Sequence, residues 1–110
     1  MNDRRAKLST LLHSITGLAI DPKSGKEAVY YQPPNGTVMV YPCIVYERSD
    51  IYNLHADDNV YMQKHRWTVT VIDRDPDSDI VQQVSEIRGI QYERHFATDG
   101  LNHDIFTLFF

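Results

Sequence analysis

Leu8, Leu11, Leu12 and Ile15 recur at i, i+3, i+4 and i+7, a single apolar stripe that predicts an amphipathic helix over residues 3–16. Asn2 or Asp3 is placed to cap its start and Gly17 to follow its end. Arg4, Arg5 and Lys7 fall in its first turns, where the helix dipole disfavours positive charge, so they read as a solvated basic face or as groups with an external partner. Beyond the helix, Pro22, Gly25 and several charges mark residues 18–27 as a loop. A short strand is predicted at 28–31. The turn sequence Pro33-Pro34-Asn35-Gly36 then leads to a second strand at 38–47. Pro42 lies inside that second strand, and because proline has no N–H to give to a ladder, the strand is predicted at an edge or bulged there.

The clearest strand spans 65–73. Trp67, Val69 and Val71 alternate with Arg66, Thr68 and Thr70, one face apolar and the other polar, with Ile72 breaking the rule. The run Asp73-Arg74-Asp75-Pro76-Asp77-Ser78-Asp79 ends it. Ile80, Val81, Val84 and Ile87 predict a short second helix stopped by Gly89. Strands at 90–98 and 103–110 follow, joined by a turn at Asp99-Gly100. The last, ending Ile105-Phe106-Thr107-Leu108-Phe109-Phe110, is apolar on both faces, as for a central strand or one that meets another subunit. The order predicts an α+β fold: a mainly antiparallel β-sheet with two α-helices packed on one face, forming one domain over 1–110. Its core gathers Leu8, Leu11, Leu12, Ile15, Trp67, Val69, Val71, Val84 and Ile87.

Residues 48–62 show no period and are expected to form a long connection. A loop that only linked two strands could be short and polar. This one has no Gly or Pro, and it mixes Ile51, Tyr52, Leu54 and Tyr61 with Asp50, Asp57 and Asp58. Apolar anchors in a polar surround are what a docking segment needs, so 49–62 is read as an assembly arm, against the alternative of a hairpin folded on its own domain. Ile51, Tyr52, Leu54 and Tyr61, with Phe109 and Phe110 of the last strand, are the candidate assembly interface.

Composition narrows the function classes. With 42% hydrophobic and 24% charged residues the chain has the make-up of an ordinary globular domain. Eleven Lys and Arg against fifteen Asp and Glu leave a formal charge of -4, contrary to the basic excess of a dedicated nucleic-acid binder. The seven tyrosines could stack bases, but Glu27, Glu47 and Glu93 lie as close to them in sequence as any cation, so packing is the primary reading. The single Cys43 has no partner for a disulfide or redox pair and sits among apolar neighbours. The N-terminal segment lacks a signal-peptide pattern and no run has the length of a membrane span, which predicts folding in the cytoplasm of the cell that makes it, without a membrane partner.

No catalytic, cofactor or metal site is expected. Asp73, Asp75 and Asp77 match the opening ligands of a calcium loop, but the required Gly and Glu positions are Ser78 and Val84. Asp77, Ser78 or Asp79 is better used as the cap of the second helix. The histidines are scattered without the i, i+4 spacing of a helical metal site. His103-Asp104 and Glu93-Arg94-His95 are the nearest approach to an acid–base pair, in a sequence with no nucleophile elbow or phosphate loop.

At YPCIVYERSDI, HRWTVTVIDRDPDSDIVQQV and ERHFATDGLNHDIFTLFF the chain resembles the tail terminators, or tail-completion proteins, of phages with long tails. The similarity runs from Val29 to Phe110, with VTVIDRDPDSDI and LNHDIFTLFF its most specific strings. The resemblance implies a non-enzymatic virion protein without cofactors. It also implies a homo-oligomeric, six-membered ring that sits on the tail tube protein, stops tube growth, docks to the head-completion or connector protein and lets genomic DNA pass without specific binding. A lumen of that kind should be neutral or acidic, with Asp57, Asp58, Asp73, Asp75 and Asp77 as candidates. The open alternatives are a head-completion or connector protein of the neck and, from another class, a small nucleic-acid-binding module.

Overall fold

Trp67, Val69, Val71, Phe106 and Leu108 are all sealed from solvent on one side of a sheet, and Leu8, Leu12, Ile80 and Val84 of two helices close over them. The computed structural model describes residues 2–56 and 59–110, and within these the side chains of all but 2, 52, 54–56 and 59–62. The described residues form α1 (Asn2–His13), β1 (Val29–Tyr31), β2 (Cys43–Ala56), β3 (Asn59–Asp73), α2 (Asp79–Ser85), β4 (Ile90–Thr98) and β5 (Leu101–Phe109). The strands make one sheet in the order β1-β2-β3-β5-β4. All neighbours are antiparallel except β1, which runs parallel to β2 through Val29↔Ile44 and Tyr31↔Tyr46. The fold is therefore α+β, with a mostly antiparallel sheet and both helices on one face.

The stripe on α1 behaves as its spacing requires: Leu8, Leu12 and Ile15 are buried and Leu11 packs at the margin. Two of its early cations are internally engaged. Arg4 donates to the Phe110 carbonyl at 2.7 Å, and the Arg5 guanidinium lies 4.8 Å above the Tyr31 ring. Ser78 caps α2 by accepting from the Ile80 N–H at 3.2 Å. Gln83 then ties α2 to the segment after α1, accepting from the Thr16 N–H at 3.0 Å and donating to the Thr16 carbonyl at 2.9 Å. At the β4–β5 turn Asp99 and Gly100 both have positive φ, 52° and 75°, the signature of a two-residue hairpin that follows strand twist. Gly89, at φ 86°, links α2 to β4, and a Cβ there would fall 2.7 Å from the Phe109 carbonyl oxygen.

On the opposite face Ala28, Cys43 and Ile72 form a second, smaller cluster under the segment that joins α1 to β2. This explains Ile72, which broke the alternation: its side of the sheet is apolar where that segment covers it. The cover is pinned by the Tyr30 hydroxyl, which donates to Asp21 at 2.6 Å and accepts from the Val40 N–H at 3.2 Å. That bond is the main reason the Asp21 carboxyl is held below its usual range, while burial foremost pushes the Tyr30 phenol up. Burial also raises the Cys43 thiol to about 12, so it is a packing residue.

The structure corrects three expectations. The strand predicted over 38–47 starts only at Cys43, after Pro42, whose carbonyl accepts from the Ala19 N–H at 3.0 Å. A proline that cannot donate has been left outside the ladder. That strand is interior, flanked by β1 and β3, and the sheet edges are β1 and β4. The connection expected over 48–62 is instead paired strand: Asp50 to Ala56 run against Asn59 to Arg66. Its period was hidden by register shifts between Arg48 and Asp50 and between Leu54 and His55, each of which resets the alternation.

Candidate assembly surface

β2 and β3 outrun the rest of the sheet. β1 reaches only as far as Tyr46, and β5 stops where Phe109 faces Arg66. From Ser49 to Ala56 and back from Asn59 to Lys64 the two strands pair only with each other among the described residues. At ~3.3 Å per residue this ribbon extends about 25 Å. The overall extents of 51 × 28 × 25 Å and a radius of gyration of 15.1 Å reflect it, since a compact chain of this length has about 13 Å.

The root of the ribbon is fastened. Ser49 donates to the Arg66 carbonyl at 3.1 Å and accepts from the Arg66 Nε at 3.2 Å, and the Arg66 guanidinium lies 3.6 Å from Asp50. The Phe110 N–H donates to the His65 carbonyl at 3.1 Å. His65 itself is buried, and its Nδ1 has no hydrogen-bond partner among the described residues. Burial foremost, then the charges of Arg4 and Arg48, hold the imidazole below its ordinary range. A neutral His65 is thus part of the folded state. In the unfolded chain it titrates near ~6.5, so its contribution is complete above that pH and is lost as pH falls through it. Melting temperature should fall between pH 7.5 and 5.5, and His65→Gln should flatten that slope; an unchanged slope in the variant would remove His65 as its source.

The sequence-predicted interface residues divide between root and ribbon. Ile51 is half-buried and pairs with His65; Phe110 packs against the main core; Phe109 is 39% exposed. These three gather at the root. Tyr52 pairs with Lys64, Leu54 with Met62, and Tyr61 lies at the register shift, so all three belong to the ribbon's backbone, with side chains outside the described residues. Asp57 and Asp58 lie outside the described residues altogether. The structure adds what the sequence reading missed: a cleft of about 350 Å³ lined by Arg4, Gln63, Lys64, His65, Phe109 and Phe110, in the step where β5 ends and β3 continues. No local motif signals it, because it depends on two strands differing in length.

Elsewhere the candidate chemical groups do not converge. Asp73 and Asp75 accept from the Asp75 and Asp77 N–H groups at 3.0 and 2.9 Å, shaping the turn before α2. This acidic turn lies at the far end of β3 from the ribbon tip. His103 stacks on Phe96 with ring centroids 4.5 Å apart, while its neighbour Asp104, on the other face of β5, accepts from the Tyr92 hydroxyl at 2.9 Å. His95 meets Asn102 at 3.1 Å. Among the described residues there is no cluster of three or more His, Cys, Asp or Glu side chains able to hold a metal, and no helix long and apolar enough to cross a membrane. No protein-family model matches the chain, and no curated protein matches it significantly.

Proposed function

We propose that the chain is a structural assembly protein of a phage tail, forming a homo-oligomeric ring at the head-proximal end of the tube, ending its growth and offering the head a docking surface. The observation that carries this reading is the β2–β3 ribbon. An isolated two-stranded ribbon is marginal in water, and its two unpaired edges are a standing invitation to another chain. A ribbon of this length, rooted by Ser49, Asp50 and Arg66 and containing neither Gly nor Pro from residue 49 to 66, is suited to contact a neighbour.

The resemblance to tail terminators supports the specific role. Its two most distinctive strings lie side by side in space, since the end of β3 and the start of α2 carry one and β5, which pairs with β3, carries the other. The proposed partners are further copies, the tube protein and a head-side connector. The acidic turn at 73–79 suits a surface past which DNA slides without being held.

The test is to measure the mass of the protein alone and with tail-tube protein, together with tube lengths by electron microscopy. Rings on tube ends and arrested elongation are the expected result. Tubes of unaltered length with bare ends would overturn the role, and binding to heads in place of tubes would put a head-completion protein in its stead.

A further inference from the structure

The cleft at the ribbon's root is lined by cations in a chain whose formal charge is -4. It shares Arg4 and Phe110 with a second hollow, which Asp3 and Lys7 also line. Lys64 stands on its other wall. Arg48, opposite Trp67 in the ladder, adds a cation on the side of the sheet that carries His65. None of Arg4, Lys7, Arg48 and Lys64 forms an ion pair among the described residues. Arg4 gives one N–H to the Phe110 carbonyl and keeps its other donors. His65, 5% exposed, lines the same cleft with its Nδ1 unpartnered among the described residues. A groove of this make-up, with Phe109 and Phe110 as its apolar wall, is suited to receive carboxylates.

The chain carries the complement at the opposite end of β3. Asp77 and Asp79 are exposed, and neither carboxylate accepts a hydrogen bond among the described residues. Most other carboxylates are engaged: Asp21 by Tyr30, Glu27 by His13, Asp50 by Arg66, Glu93 by Thr107 and Asp104 by Tyr92. Asp73 and Asp75 are held by the N–H groups of their own turn. Lys64 and Asp73 are nine residues apart on β3, about 30 Å at the ordinary strand rise. Exposed charges at that distance are screened from each other by salt, so the groove and the turn of one copy cannot pair.

We infer that the groove at the root of the ribbon receives Asp77 and Asp79 from the acidic turn of a second copy. This rests on the ring-forming role proposed above and names a contact that orients neighbouring copies. The surface that receives differs from the surface that inserts, so each copy can do both, and repetition either closes a ring or continues as a helix. Charge contacts of this kind steer encounter and choose the partner more than they add affinity, so the ribbon still holds the copies together. Asp73 and Asp75, bound within the turn, remain for the lumen of the proposed ring.

Two charge-reversed chains test the contact: Lys7→Glu with Lys64→Glu in the groove, and Asp77→Lys with Asp79→Lys in the turn. Association is followed by sedimentation across a concentration series, alone and with tail tubes, and folding is checked by circular dichroism. If the turn pair disturbs α2, Asp77→Lys alone replaces it. Each variant by itself brings like charges together and should associate roughly tenfold more weakly than the wild type. In an equal mixture every groove can meet a turn of opposite charge, and association should return. Lys23→Glu with Lys26→Glu makes the groove variant's change in net charge on exposed residues of another segment, and should associate as the wild type does. Variants that associate normally, a mixture that rescues nothing, or a control as weak as the groove variant overturn this contact while leaving the ring intact. A wild-type chain that stays monomeric at every concentration, alone and with tubes, overturns both.

Discussion

Removing residues 53–63 and joining Tyr52 to Lys64 through Asn-Gly will leave a folded monomer that neither associates nor caps tubes. Tyr52 and Lys64 face each other in the ladder, so a two-residue turn of this type can close the shortened hairpin in register. Of the excised residues, Asn53 and Gln63 are exposed. The root contacts of Ser49, Asp50 and Arg66 and the His65–Phe110 backbone bond all remain. The melting temperature should therefore stay within a few degrees of the wild type, because every contact that fastens the root is kept. Assembly should be lost outright, since both edges of the ribbon go with it. A shortened chain that still forms rings and arrests tubes would show that the ribbon is ornamental.

Trp67→Ala has the largest expected effect on folding. Trp67 is fully buried at the centre of β3, with the Tyr31 and Tyr46 rings 6.4 and 6.3 Å from its own. Truncating a core aromatic costs about 3–5 kcal/mol, a large share of what a domain of this size has. The indole N–H makes no hydrogen bond among the described residues, so Trp67→Phe removes volume and an unsatisfied donor together. Its loss should be well under half that of the alanine variant. Denaturant titration of the two variants measures this directly. An alanine variant as stable as the wild type would mean that this face is not the core.

The elements legible in the sequence are those whose period survives along the whole element. Leu8, Leu12 and Ile15 kept a helical spacing and are buried; Trp67, Val69 and Val71 kept the spacing of two and line the same core. The Asp99-Gly100 turn was readable because its chemistry is local. The ribbon was not, because its two register shifts move apolar residues from one phase to the other. What could be read there was the presence of Ile51, Tyr52, Leu54 and Tyr61 in a stretch that a mere connection would leave polar. Pro42 misled because its effect was assigned to the strand's place in the sheet, when it determines where the strand begins. The parallel β1 and the cleft at the ribbon's root were beyond reach, because both follow from which strands are neighbours and how far each extends.

Gly89 has a consequence at a distance from its own turn. Its Cα faces the Phe109 carbonyl so closely that a methyl group would sit 2.7 Å from that oxygen, and its own carbonyl accepts from the Phe109 N–H at 3.1 Å. The spacing between the turn after α2 and the last residues of β5 is thus fixed by a single hydrogen atom. Any larger residue there would push the end of β5 outward, together with Phe109 and Phe110, which wall the cleft at the ribbon's root. Under the proposed assembly role, genetic change at this one position would be felt as a fault in assembly, in a part of the molecule with which it shares no side-chain chemistry.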